Sequence, residues 1–193
     1  MGKLTYSTAI VVIPPEDAWP AIQAIRAKYD AKVRRWMPHI TLIYPCVPVS
    51  EFTAAQERLA LGCRDVPALE VELAEFRTFR HRRGNYTIWL APKPEAALIE
   101  LQAVVQRSAL GEHYDGGRPA GFQPHLSIGQ IQGKTEMLRL VAELHAAWQP
   151  VRFAVTGVSL IWRGEPPDDA FQVAATLNQG KTTTPARSRA TSP

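Results

Sequence analysis

Hydrophobic and polar positions change period several times along these 193 residues. Ser7 to Ile13 is a short apolar run rich in Val and Ile, which predicts a buried strand. Pro14-Pro15-Glu16-Asp17 then opens a helix, with prolines and acids where a first turn favours them. Trp19, Ile22, Ile25 or Arg26, and Tyr29 continue it at helical spacing. A strand over 39–45 closes at Pro45, and Ser50 is placed to cap a second helix through about Leu61. Leu69, Val71 and Leu73 alternate with Glu70 and Glu72, the mark of a half-buried strand. The order then restarts. Tyr86 to Ala91 predicts a strand, and Pro92 and Pro94 introduce a helix through about Leu110. A Gly-rich loop, Gly111 to Gly121, leads into a strand over 125–131. A helix from about Thr135 to Trp148 carries Leu138, Val141, Leu144 and Trp148 on one side. Strands near 151–162 and 170–177 follow, joined by Arg163-Gly164-Glu165-Pro166-Pro167-Asp168-Asp169. From about Gln179 the chain is rich in Thr, Ser, Pro, Lys and Arg without apolar period, which predicts a disordered basic tail over 179–193.

Each half therefore reads strand, helix, strand, helix, strand, over about 6–80 and 85–178 of one bilobal unit. The strands in the middle of the halves echo each other. Met37-Pro38-His39-Ile40-Thr41-Leu42-Ile43 and Gln123-Pro124-His125-Leu126-Ser127-Ile128-Gly129 both read Pro-His-apolar-hydroxyl-apolar. A strand sends alternate side chains to one face, so His39 points with Thr41 and His125 with Ser127. A duplicated unit packed about a pseudo-two-fold axis would bring the two pairs together across a cleft. Two imidazoles can serve as general acid and general base near neutral pH, and two hydroxyls can donate to the oxygens of a phosphate between them. That is a phosphodiesterase site without a metal.

Other residues are weaker candidates. Arg34, Arg35 and Trp36 lead into the first motif and can steer a phosphate and stack a base; a solvated basic edge with Trp36 in the core is the equal alternative. Tyr44 is out of step with His39 and Thr41 but reaches a ligand if the strand end bends. Tyr114, in the Gly-rich loop, can cover a bound base. Phe79-Arg80-His81-Arg82-Arg83 falls in the turn between the halves, where a solvated turn is favoured over contact with a nucleic acid. His81 and His113 sit in loops, and His145 lies on a helix flank. No carboxylate or cysteine stands at ligand spacing from His39 or His125, so no metal and no cofactor are expected.

Composition narrows the class. Hydrophobic residues make up 46% and charged residues 21%, as in ordinary soluble domains. The formal charge of +4 suits an anionic ligand without requiring one. No apolar run is long enough to span a bilayer. The start lacks a signal-peptide pattern, and Tyr6 stands where myristoylation needs Ser or Thr. A cytoplasmic protein is expected, with Cys46 and Cys63 as reduced, partly buried thiols. Nothing sets an oligomeric state, although a monomer is favoured.

The chain resembles the two-histidine (2H) phosphoesterase superfamily over about residues 6 to 178. The resemblance rests on His39-Ile40-Thr41, His125-Leu126-Ser127, their preceding prolines and the repeated element order. It implies an α+β fold, bilobal and duplicated, with two antiparallel-type sheets flanked by helices around a central cleft. It also implies metal-independent hydrolysis of cyclic or 2′-5′ phosphodiesters, with His39, Thr41, His125 and Ser127 as the catalytic set. Ser127 replaces the commoner Thr. Gly129-Gln130-Ile131 stands where some bacterial members acting on RNA ends carry a basic residue. The expected substrate is a nucleotide 2′,3′-cyclic phosphate or an RNA terminus, opened to a 2′-phosphate, with no membrane involved. A nucleotide- or RNA-binding module without turnover, and a 2′-5′ RNA ligase or 2′-5′ phosphodiesterase, remain as alternatives.

Overall fold

A computed structural model describes residues 3–111 and 121–180. Tyr114, His113 and residues 181–193 of the expected tail lie outside the described residues. Eight strands and four helices follow in the order β1 (Thr8–Val12), α1 (Trp19–Tyr29), β2 (Ile40–Ile43), α2 (Phe52–Cys63), β3 (Leu69–Arg80), β4 (Asn85–Lys93), α3 (Glu95–Leu110), β5 (Leu126–Gln132), α4 (Lys134–Ala147), β6 (Val151–Val155), β7 (Gly157–Trp162) and β8 (Gln172–Asn178). They build two four-stranded antiparallel sheets, ordered β2-β1-β7-β8 and β5-β4-β3-β6. The fold is α+β, as the resemblance to the two-histidine phosphoesterases implies. The strand that follows each histidine is the end strand of its sheet, and β2 and β5 lie beside one another.

The sheets do not follow the midpoint of the chain. β3, from the first half, sits in the second sheet, while β7 and β8 complete the first. The single strand expected over 151–162 is in fact two. β6 pairs with β3, Thr156 breaks the run, and β7 pairs with β1 in the other sheet. Both pieces are rich in β-formers, so composition alone hides the break. Gly157 marks it, because a Cβ there would stand 2.6 Å from the Leu177 carbonyl oxygen.

The helices cross over as well. α1 packs on β5, and α3 packs on β2. Gly129 permits the first contact: a Cβ at this position would lie 2.6 Å from Tyr29 Cβ and 3.0 Å from the Tyr29 carbonyl oxygen. One continuous core joins both sheets, with Ile10, Val12, Ile40 and Leu42 from one and Ile88, Leu90, Leu126 and Ile128 from the other. The opposite face of the first sheet carries a separate small cluster of Ala9, Val11, Ile161 and Phe171, covered by Trp36, Met37 and Tyr44.

Three local expectations need correction. Ser50 lies in a 3₁₀ turn (Val49–Glu51) and makes no capping bond. Leu138 is exposed, whereas Val141, Leu144 and Trp148 pack on the core as expected, joined by the buried Met137 and Leu140. Gln179 belongs to the packed body, because it is buried and its backbone N–H donates to the Thr156 carbonyl at 2.7 Å. Cys46 and Cys63 are free and buried, and burial pushes the Cys46 thiol up to about 11.

Candidate active site

Ile40, Leu42, Leu126 and Ile128 are buried, while His39, Thr41, His125 and Ser127 between them are half-buried. The alternation therefore turns both His/hydroxyl pairs away from the core, as expected from strand geometry. The two motifs match in detail. His39 Nδ1 lies 2.7 Å from the Met37 carbonyl, and His125 Nδ1 lies 2.8 Å from the Gln123 carbonyl. A carbonyl only accepts, so each Nδ1 carries the proton and each tautomer is set by its own backbone two residues upstream. In either ring Nε2 is the position whose protonation changes.

His39, Thr41 and Ser127 line one cleft of about 360 Å³, together with Trp36 and Tyr44. His125 stands on the same face as Ser127, and its proximity disfavours a positive charge on His39. Each ring has an aromatic neighbour. Trp36 stacks on His39 with centroids 4.6 Å apart and is itself stacked on Phe171. Phe79 meets His125 edge-on at 5.0 Å, and Trp89 follows at 5.9 Å. Trp36 thus belongs to the cleft wall rather than to the main core. Tyr44 reaches the cleft despite its parity, with its hydroxyl donating to the Tyr6 carbonyl at 3.1 Å. Arg34 and Arg35 do not line this cleft; they line an adjoining groove. Phe79 and Arg80 end β3 rather than lie in a turn, and His81 reaches the cleft with Nε2 2.9 Å from Thr87 Oγ1.

Arg26, Asp30, Lys32, Thr87 and Gln130 also line the cleft, and the sequence motifs do not reveal them. Arg26 is only 2% exposed and Asp30 only 7%. Arg26 Nε donates to Asp30 Oδ2 at 2.9 Å, and Nη2 donates to the Trp36 carbonyl at 2.9 Å. Asp30 Oδ1 accepts from the Lys32 backbone N–H at 2.9 Å and from Gln130 Nε2 at 3.2 Å, and Gln130 Oε1 accepts from the Ala31 N–H. This network ties the end of α1 to the histidine strand of the other sheet. One signal was available: Arg26 falls on the apolar stripe of α1, where a charged residue needs a buried partner.

Burial lowers the His39 pKa to about 4, with Arg26 and His125 pushing the same way and the Met37 bond and Asp30 opposing. His39 is therefore neutral at neutral pH, with Nε2 able to accept a proton. Because an unfolded histidine titrates near about 6.5, the folded chain takes up this proton at lower pH. His39 thus opposes folding progressively as pH falls from the unfolded value towards about 4, and no further below it. An NMR titration of the ring protons is expected to place His39 near pH 4 in the free protein and higher with inorganic phosphate bound. Titration near the unfolded value in the free protein would show that burial does not govern the ring.

Among the described residues, no group of three or more His, Cys, Asp or Glu side chains is arranged to hold a metal ion, and no helix is long and apolar enough to cross a membrane.

Two four-stranded sheets, each with an end strand that follows a histidine and presents a hydroxyl to one cleft, define a two-histidine phosphoesterase fold. The chain belongs to the 2′-5′ RNA ligase superfamily, whose family profile matches residues 14–167. Among solved structures, TT0787 of Thermus thermophilus superposes with a TM-score of 0.61 at 17% identity, covering 90% of this chain and 98% of that one. E. coli LigT complexed with 3′-AMP gives a TM-score of 0.57 at 18% identity, covering 94% and 100%. The complex of the same protein with NADP+ gives 0.58 at 18% identity, covering 93% and 100%. No curated protein sequence matches the chain.

Proposed function

We propose that this protein hydrolyses a 2′,3′-cyclic phosphodiester, on a nucleotide or an RNA terminus, to a 2′-phosphate. The matched pair of imidazoles carries the reading: each has Nδ1 held by its own backbone and stands two residues before a hydroxyl that lines one shared cleft. His39, held neutral by burial, takes a proton from water through Nε2 as the water oxygen attacks phosphorus. His125 gives a proton from Nε2 to the departing 3′ oxygen, which becomes the ribose hydroxyl. Thr41 and Ser127 donate to the non-bridging oxygens as charge builds on them. Trp36, stacked between His39 and Phe171, holds the plane of the His39 ring at the cleft wall. The nucleotides bound by E. coli LigT support a nucleotide ligand. A cytoplasmic setting fits such a substrate.

The test is a panel of 2′,3′-cyclic mononucleotides, cyclic-ended oligonucleotides, 2′-5′-linked dinucleotides and ADP-ribose cyclic phosphate, with products read by phosphorus NMR. The expected product is a single 2′-phosphate, formed equally well after prior chelation with EDTA. Loss on chelation with rescue by one divalent ion would replace this mechanism with a metal-assisted one. Turnover of only the 2′-5′ linkage would move the protein to that activity. Binding without any turnover would leave a binding module.

A further inference from the structure

We infer that the groove beside the histidine cleft, built from Lys32, Arg34 and Arg35, binds a second phosphate of the substrate, on the 5′ side of the ribose whose cyclic phosphate is opened. The inference rests on the proposed reaction and names a substrate feature that the catalytic residues do not require. The groove has a volume of about 250 Å³, and the 167–170 segment with Asp169 forms its far wall. Lys32 lines both the groove and the cleft, so the two spaces adjoin across one side chain.

The charges are unequal. Three cations face one carboxylate, and Asp169 is already ion-paired with Arg35. Among the described residues, the Lys32 ammonium and the Arg34 guanidinium have no carboxylate partner, and both side chains are exposed. The backbone beneath them is fixed. Val33 N–H donates to the Asp30 carbonyl, Arg35 and Trp36 N–H both donate to the Lys32 carbonyl, and Phe171 N–H donates to the Arg35 carbonyl at 2.8 Å. The Lys32 N–H is held by the buried Asp30 carboxylate that also borders the histidine cleft. Two unpaired cations on a rigid turn, one side chain away from the reacting diester, form a site of positive potential that a nucleoside cyclic phosphate with no second phosphate leaves unused. A free 5′-phosphate and an internucleotide phosphate share the chemistry that fits it.

The test is calorimetric binding of two proposed products, adenosine 2′-monophosphate and adenosine 2′,5′-bisphosphate, to the full chain and to Lys32→Ala/Arg34→Ala. The bisphosphate is expected to bind about 10-fold more tightly to the unaltered protein, as two charge-assisted contacts in a partly exposed groove would give. That advantage should shrink with added salt and fall to about two-fold or less in the variant. Arg34→Glu, an exposed change that leaves the core untouched, should abolish it as well. Equal affinities in the unaltered protein, binding of neither compound, or an advantage that survives both variants would overturn the inference. Turnover is read separately, as the ratio of kcat/KM for adenosine 2′,3′-cyclic phosphate with and without a 5′-phosphate, and for the cyclic-ended dinucleotide. A binding advantage without hydrolysis keeps the groove and rejects the reaction. Hydrolysis indifferent to the second phosphate keeps the reaction and rejects the groove. The larger of the two preferences, free phosphate or dinucleotide, identifies the source.

Discussion

Replacing either His39 or His125 by alanine is expected to lower turnover on the order of 10²- to 10⁴-fold while the chain keeps its fold. Both rings are half-buried at the cleft rather than in the core, so their loss leaves Ile40, Leu42, Leu126 and Ile128 packed. Nδ1 of each ring is held by the local backbone, at Met37 and at Gln123. Thr41→Ala and Ser127→Ala each remove one donor to a developing charge and should cost less, about 10- to 10³-fold. Steady-state kinetics on the best substrate of the panel, with a melting curve for each variant, provides the measurement. Near-normal rates in a well-folded His39→Ala or His125→Ala protein would sink the two-histidine mechanism. If His39 is the base, the acid limb of kcat/KM lies near pH 4, the value that burial gives the free enzyme. The alkaline limb then belongs to the coupled pair rather than to one ring.

The largest effect on stability is expected from Asp30→Ala. This change leaves the Arg26 guanidinium, 2% exposed, without its carboxylate in the interior. Removing one partner of a buried ion pair costs about 3–5 kcal/mol, and the Lys32 N–H and Gln130 amide lose their acceptor at the same time. Asp30→Asn keeps an oxygen for those donors and should cost less. Arg26→Leu/Asp30→Leu removes both charges and should be milder than Asp30→Ala, because nothing charged stays buried alone. Denaturant unfolding checks all three. A loss under about 1 kcal/mol for Asp30→Ala would mean that water reaches the guanidinium, as it does in exposed pairs.

The parts of this protein that were legible in its sequence are those set by local repetition. Strand parity placed His39 with Thr41 and His125 with Ser127, because adjacent residues alternate whatever the rest of the chain does. Pairing between distant segments was not legible. Arg26 and the residue just past the end of its helix, Asp30, sit four apart, the spacing of an ordinary solvated pair; contacts with distant segments, β5 among them, bury them. Gln130 stood where a cation was looked for, and its amide is instead spent on Asp30 and the Ala31 N–H. Tyr44 is out of parity with His39 and Thr41 but stands just past the end of β2, and from there it lines the cleft. The break at Thr156 was hidden because both flanking pieces favour extended structure, and only the change of sheet separates them.

The close seat of Tyr29 on Gly129 couples the two halves of the chain. Position 29 belongs to one half and position 129 to the other, yet the Cβ and backbone carbonyl of the first fill the place where a side chain of the second would go. A substitution at 129 is filtered by a helix encoded a hundred residues away, and a shift of that helix is filtered by 129. The two halves therefore cannot vary as independent modules. Because the contact is made by Cβ and backbone at position 29, no ordinary change of side chain there opens room at 129, so relatives that seat this helix in the same way should keep glycine at 129.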